Sequence, residues 1–416
     1  MEKYSEYKDS GVQWLGEIPS HWKLLRNKSF MNLTDEKVEQ RKNFILLSLT
    51  KQGVIIRDLS EGKGKFPKNF NTYLVVRPNN LVFCLFDVDE TPRTVGLVRN
   101  VGMLTGAYTN FKLKENVVLP EYAYYYYLQV DDVKGLKPYY TGLRKVVKTN
   151  TFLQLRMPVP PIEEQHAIVS YLDTKCSKLD TFISNKEKEI TFLQEMKLRV
   201  ITDAVTCGLN PNVKFKPTNI PWLPEIPEHW KMSKVSSHFR QRNEKVSDKK
   251  YRPLSVSKIG ITPQLDNVAL SNAEGNSRKL VKVGDYAVNS RSDRKGSCGI
   301  SNYEGSVSLI TIVLEPFDID GGYVHYLFRS SPWVEEFYRN GRGIVADLWT
   351  TNYQMMKGMY LPVPPIEEQH AIVSYITERV AKIDSLLEKL NKEIECIKEY
   401  KQRLISDVVT GQIKVS

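Results

Sequence analysis

No run in this chain approaches the roughly 18–20 apolar residues that a membrane-spanning helix needs. Cysteine is scarce: Cys84, Cys176, Cys207, Cys298 and Cys396 are an odd number without C-x-x-C spacing, which argues against a disulfide framework or a zinc ribbon. Catalytic signatures are missing too. There is no phosphate-binding G-x-x-x-x-G-K-[ST], no nucleophile elbow, no G-x-G-x-x-G opening a helix, and no Asn-Pro-Pro-Tyr-like tetrapeptide. The early acidic residues Glu2, Glu6 and Asp9 do not read as a secretory leader. These absences point to a protein of a reducing cytoplasm that reads a ligand and carries no reaction of its own. The length of 416 residues suggests two to four domains.

What is present is a repeat. Fourteen residues, Pro158 to Tyr171, recur unchanged as Pro362 to Tyr375, displaced by 204 positions. The match continues without a gap through Lys178/Lys382, Asp180/Asp384, Lys197/Lys401, Asp203/Asp407 and Thr206/Thr410. A fainter echo precedes each copy: Trp14-Leu15, Glu17-Ile18-Pro19 and His21-Trp22-Lys23 return as Trp222-Leu223, Glu225-Ile226-Pro227 and His229-Trp230-Lys231. One unit has been built twice. The expected divisions are an N-terminal segment (1–23), a variable block (24–157), a repeated helical region (158–210), a linker that echoes the N-terminus (211–230), a second variable block (231–361) and a second helical region (362–416).

Charge is distributed unevenly over these parts. The net charge is +11, yet residues 24–157 carry 21 Lys/Arg against 12 Asp/Glu, and residues 231–361 carry 19 against 13. The positive excess therefore belongs to the two variable blocks, and a polyanion is the natural partner of two separate basic modules.

In the repeated segment, Pro-Val-Pro-Pro must be extended until its last proline. Pro161 and Pro365 suit the first turn of a helix. The glutamates that follow suit the positive end of its dipole. An apolar stripe with alternating spacings of four and three then runs through Leu172, Cys176, Leu179, Ile183, Ile190, Leu193 and Val200. Its second copy is Val373, Ile376, Val380, Ile383, Leu387, Leu390, Ile394, Ile397, Leu404 and Val408. That is a coiled-coil seam. Each helix should be about 43 residues, or ~65 Å, long and should stop near Gly208 or Gly411. Lys197 and Lys401 interrupt the seam at matching positions and are expected to snorkel from a frayed end. The linker between the first helix and the second block is too short for parallel helices. Antiparallel packing follows, with the basic modules at opposite ends of a rod. By symmetry residues 1–23 should dock at the end of the second helix, bringing the termini together.

The variable blocks read as mixed α/β, with apolar runs at 44–49, 81–86 and 309–314 bounded by turn residues. A common frame is visible in pairs such as Gly96-Leu97-Val98 with Gly299-Ile300-Ser301, and in residues 122–128 with 323–329. Candidate contact loops lie at 89–99, 142–148, 291–295 and 341–343. Their candidate DNA-binding residues are Arg93, Thr94, Arg99, Arg144, Lys145, Lys148, Arg291, Ser292, Arg294, Lys295 and Arg342, since Arg beside Ser, Thr or Gly suits phosphate contact and bidentate reading of guanine. The run Tyr124 to Tyr127 could stack on bases but better suits a packing face. His21/His229 and His166/His370 repeat in pairs and belong to the scaffold. His238 and His325 stand alone without metal-ligand company.

The doubled Pro-x-Pro-Pro-Ile-Glu-Glu-Gln segment, each copy preceded by a Trp-Leu-Gly-Glu-Ile-Pro-x-His-Trp-like stretch and a variable block, resembles the specificity (S) subunits of type I restriction–modification systems. The likeness spans essentially the whole chain; one departure is Pro224 where the first copy has Gly16. It implies an α/β (α+β) fold: two target-recognition domains, 24–157 and 231–361, related by a pseudo-twofold axis and separated by two long antiparallel coiled-coil helices. It implies double-stranded DNA as ligand, with each domain reading one half of an asymmetric bipartite site in phage defence. The helical regions would dock two methyltransferase (M) subunits around Glu163, Glu164, Gln165, His166, Glu367, Glu368, Gln369 and His370. Restriction (R) subunits would join that complex, and S-adenosylmethionine and ATP would bind the partners. No cofactor, metal or catalytic residue is expected in this chain, whose setting would be the bacterial or archaeal cytoplasm at the nucleoid. The competing readings are a free-standing coiled-coil DNA-binding regulator and an enzyme with an unrecognised nuclease or methyltransferase site.

Overall fold

Both Pro-Val-Pro-Pro segments are extended, as the fixed φ and missing donor of proline require, and each closes a two-stranded antiparallel ladder. Arg156–Val159 pairs with Lys23–Arg26, with Lys23 opposite Val159. Tyr360–Val363 pairs with Lys231–Lys234, with Lys231 opposite Val363. These registers come from a computed structural model, which describes residues 2–12, 14–39, 44–57, 70, 72–264, 277–343 and 349–415. The helices used below are α1 (Pro120–Asp132), α2 (Thr149–Gln154), α3 (Ile162–Cys207), α4 (Gly321–Leu327), α5 (Ser331–Arg339), α6 (Tyr353–Met356) and α7 (Ile366–Val409). The chain divides into two units, residues 1–186 with 392–416 and residues 187–391, so α3 and α7 each give one portion to either unit.

The first unit is built on a four-stranded sheet ordered Met31–Thr34, Thr109–Leu113, Leu81–Phe83, Val95–Leu97. A second sheet is ordered Gly53–Ile56, Ile45–Thr50, Gly102–Thr105, Tyr73–Val76 and contains one parallel pair. Phe83, Phe111, Tyr127 and Phe152 pack as an aromatic cluster between the first sheet and helices α1 and α2. The tyrosine run on α1 is a packing face: Tyr126 and Tyr127 are buried, and Tyr124 and Tyr125 are half-buried. Burial raises the pKa of all four phenols, because the phenolate would lose its hydration.

In the second unit the principal sheet is ordered Phe239–Gln241, Thr311–Pro316, Tyr286–Asn289, Cys298–Ile300, the same order as in the first unit. The shared frame expected from the paired glycines and tyrosines is therefore a shared sheet. Tyr122 and Tyr323 pin it to the helices in the same way. Tyr122 donates to the Pro158 carbonyl at 2.9 Å and faces that of Val409 at 3.3 Å. Tyr323 reaches Pro362 at 3.0 Å and Val205 at 3.1 Å.

The long helices begin one residue later than expected. Ile162 is the first helical residue, while the Pro161 carbonyl already accepts from the Gln165 N–H at 3.0 Å, so proline sits at the boundary. They end before Gly208 and Gly411, whose φ of 77° and 76° only glycine adopts readily. Within each unit the helix pair is antiparallel. In the first, Asp180 faces Lys401 at 2.6 Å and Lys186 faces Glu393 at 3.4 Å, so numbers fall along α7 as they rise along α3. In the second, Lys197 faces Asp384 at 2.6 Å beside a cluster of Leu193, Ile383 and Leu390. The seam residues are buried or half-buried. The two seam lysines correct an expectation: neither snorkels from a frayed end. Each caps a carboxylate of the facing helix, and the two ion pairs are repeat-mates.

The termini meet as the repeat requires. Lys414 N–H donates to the Glu2 carbonyl at 2.9 Å, the Tyr7 hydroxyl to Gly411 at 3.0 Å, and the Gln412 amide to Glu17 at 2.9 Å.

Candidate DNA interface

The contact loops read from sequence assemble in pairs, one pair per unit. In the first unit a hairpin closed by Thr141 and Val146 lies along the loop after Leu85: Val147 N–H donates to Leu85 and Asp87 N–H to Arg144, both at 2.8 Å. In the second unit Arg342 pairs with Thr350, Thr351 N–H donates to Ser290 at 3.0 Å, and Ser292 N–H donates to Trp349 at 2.9 Å. The pattern of backbone bonds is the same in both units, and the residues it presents differ.

Cations on these loops are held by carboxylates beside them. Lys145 sits 2.9 Å from Glu90 and 3.4 Å from Asp89; the hydrogen bond to Glu90 holds its pKa above the usual lysine range. Arg144 is 74% exposed, lies 3.7 Å from Asp87 and covers the ring of Phe86. Arg291 grips Asp293 through two bonds of 2.9 and 3.0 Å, Arg294 reaches the same carboxylate at 3.9 Å, and Lys295 meets Glu335 at 2.9 Å. Exposed pairs of this kind stabilise the fold by no more than about 1 kcal/mol each, so a phosphate can take the place of the carboxylate. Lys148 and Arg342 are exposed on the same loops. Beside the repeated tryptophans lie two clefts. One, of about 630 Å³, is lined by Trp14, Tyr139 and Arg156 in the first unit; the other, of about 750 Å³, by Trp222, Ser292 and Trp349 in the second.

Three candidates bind carboxylates of α1 instead. Arg93 is 20% exposed and bonds to Asp131 and Asp132, and the buried Thr94 gives its N–H to Asp131 at 3.1 Å. Both residues satisfy a buried carboxylate at the end of α1, a charge too costly to leave bare. Arg99 pairs with Glu121 at 3.0 Å, in the first turn of α1. Asp131, beside the loops, is ten residues further along that helix, about 15 Å away. Sequence reading missed Phe86, Asp87 and Trp349, and did not single out Asp89, Glu90 and Asp293 within its candidate loops; the carboxylates close to arginine and lysine were the available signal.

The repeated Glu-Glu-Gln-His is also partly turned inward. Gln165, fully buried, accepts from Leu119 N–H at 2.8 Å and donates to Val117 and Pro160 at 3.0 and 2.9 Å. Gln369 accepts from Asp320 N–H at 2.8 Å and donates to Pro364 at 2.9 Å. Glu164 binds Tyr4, His21 and the Trp22 indole, and Glu368 binds His229. The two glutamines fasten each helix to its variable block and the two glutamates fasten it to the tryptophan-containing segment; Glu163, His166, Glu367 and His370 are exposed.

Residues 97–191 match the family model of the type I restriction modification DNA specificity domain. The whole chain aligns at 22% identity with 98% of the type I restriction enzyme MjaVIII specificity subunit of Methanocaldococcus jannaschii. Over its whole length the chain is similar to a specificity subunit of a type I restriction–modification system. Over 65% of its length the chain is 23% identical to 60% of the type I restriction enzyme EcoBI specificity subunit of Escherichia coli. Its fold is similar to that of a chain in a structure of type I restriction–modification complex assembly, with a TM-score of 0.70 and 14% identity over 95% of this chain and 99% of that one. It is also similar to the HsdS subunit of Thermoanaerobacter tengcongensis, with a TM-score of 0.51 and 14% identity over 95% and 98% of the two chains. Among the described residues no helix is long and apolar enough to cross a membrane, and no group of His, Cys, Asp and Glu is placed to hold a metal ion.

Proposed function

We propose that each paired-loop face reads one half of an asymmetric, bipartite DNA site, and that α3 and α7, shared between the units, set the unread spacer. The observation that carries this reading is one backbone pattern presenting two different sets of basic side chains. Equal frames place equal contacts on a duplex; unequal loops ask for unequal sequences. Phosphates displace Asp87, Glu90, Asp293 and Glu335 from their lysine and arginine partners, so affinity falls steeply with salt. Base edges are then read by the freed guanidinium groups. Two methyltransferase subunits dock on the outward Glu163, His166, Glu367 and His370, and restriction subunits join through them. Methyl transfer and ATP use belong to those partners, and the chain itself binds neither S-adenosylmethionine nor ATP.

Methylome sequencing of cells carrying this chain and its methyltransferase defines the target. Exchange of residues 231–361 for the corresponding block of another specificity subunit should then change one half of that target and leave the other and the spacer intact. A change in both halves overturns the reading.

A further inference from the structure

The hairpin of the first unit ends in a side chain that its chemistry leaves unexplained. Leu143 is 102% exposed, the most exposed large hydrophobic residue among those described. A scattered leucine on a surface needs no account, but this one is held out on purpose-built backbone. Thr141 and Val146 exchange bonds of 2.9 and 3.1 Å beneath it, and Lys145 N–H closes the turn onto Gly142 at 3.1 Å. Gly142 and Lys145 both have positive φ, 75° and 44°, and for lysine that conformation costs about 1 kcal/mol or more. The turn is fastened to the neighbouring loop through the Arg144 and Val147 backbone. On its C-terminal side stand Arg144 and Lys145, on the face assigned to DNA.

We propose that Leu143 is a wedge that inserts between adjacent base pairs of the half-site read by the first unit and unstacks that step. This rests on the reading that the paired loops contact DNA. An apolar side chain presented by a stiff turn beside phosphate-seeking cations has the chemistry of side chains that open a base step and kink the duplex. It gains burial against base faces, while Arg144 and Lys145 leave Asp87 and Glu90 for the flanking phosphates. A step opened in this way also eases the extrusion of a base for methylation.

The test uses the full chain with its methyltransferase partner and target duplexes carrying 2-aminopurine at successive positions of each half-site. A rise in fluorescence is expected at a step other than the methylated adenine, whose own extrusion is scored separately. Leu143→Ala should cut that rise by about threefold or more, with footprint boundaries unchanged, and Leu143→Phe should retain it. Ile259→Ala removes the other highly exposed aliphatic residue (83% exposed) and should leave it intact. A full rise with Leu143→Ala, or no brightening outside the methylated adenine, overturns the wedge. Arg144→Ala with Lys145→Ala separates the underlying reading: if protection of both half-sites and the salt dependence stay as in the parent, the hairpin does not touch DNA at all.

Discussion

In the first unit Glu164 accepts from the Tyr4 hydroxyl and from the Trp22 indole at 3.0 Å, and meets His21 at 2.9 Å. In the second unit its repeat-mate Glu368 meets His229 at 2.7 Å, and the fully buried Trp230 indole N–H has no partner among the described residues. The ladders Tyr7 with Pro19 and Phe215 with Pro227 align the two segments and put Asn212, exposed, where the first unit has Tyr4. Fourteen identical residues therefore do not make identical bonds. The identical residues fix where the helix starts; the residues packed on it decide how completely its polar groups are satisfied. The same holds at the paired loops, where an equal ladder of backbone bonds carries unequal side chains.

The largest expected effect breaks the comparison at the buried glutamines. Gln165 satisfies three backbone groups and Gln369 satisfies two. Gln165→Leu should cost about 3–5 kcal/mol and Gln369→Leu about 2–4 kcal/mol, since each orphaned buried group carries its own desolvation penalty. Urea unfolding gives the totals, and hydrogen exchange at Leu119 and Asp320 assigns each loss to its unit. Equal losses, or a larger one for Gln369→Leu, would show that counting these bonds misrepresents the junction.

The next comparison is between Tyr124 and His325, which sit two residues after the equivalent Tyr122 and Tyr323. Burial, with Arg329 nearby, pushes His325 down to about 4, whereas burial pushes the Tyr124 phenol up and leaves it neutral throughout. A histidine with a depressed folded pKa binds its proton more readily when unfolded. Its contribution is therefore intact above about 6.5 and is lost as pH falls from there toward 4. The second unit should lose roughly 1–3 kcal/mol across that window, and His325→Tyr should flatten the profile toward that of the first unit. Hydrogen exchange of α4 and α1 at pH 7 and pH 5 checks this; an equal acid response in the two helices counts against it.

How much of this was legible in the sequence depends on what each feature rests on. Helix length, seam and stops followed from spacing and from Gly208 and Gly411, because those signals are local. The shared sheet order was visible faintly through Gly96/Gly299 and the paired tyrosines, since close packing restricts such positions. The loop pairing was not legible: Asp87 meets Arg144 57 positions away in sequence, and nothing local announces a backbone bond between loops. The bonds of Arg93 and Thr94 to Asp131 were hidden for the related reason that a buried carboxylate looks in sequence like any solvated one. The four inward residues of Glu-Glu-Gln-His were hidden by their polarity, which suggests a docking surface until the backbone groups they satisfy are placed.

The smallest expected effect concerns the lysines of the helix seam, and it tests the symmetry itself. Lys197 with Asp384 and Lys401 with Asp180 are the same pair written twice, with lysines 30% and 26% exposed and aspartates 50% and 58% exposed. Partly solvated pairs of this geometry couple by about 0.3–1 kcal/mol, and salt should reduce both. Double-mutant cycles through alanine at each pair should return coupling energies that agree within about 0.5 kcal/mol. The larger consequence is in register. Lys197→Asp places like charges across the seam, and adding Asp384→Lys restores opposite ones, so the double reversal should recover most of the stability that the single change removes. If Lys401 with Asp180 couples and Lys197 with Asp384 does not, the helix portions of the two units are not equivalent, and the second unit then owes its register to Leu193, Ile383 and Leu390 and not to charge.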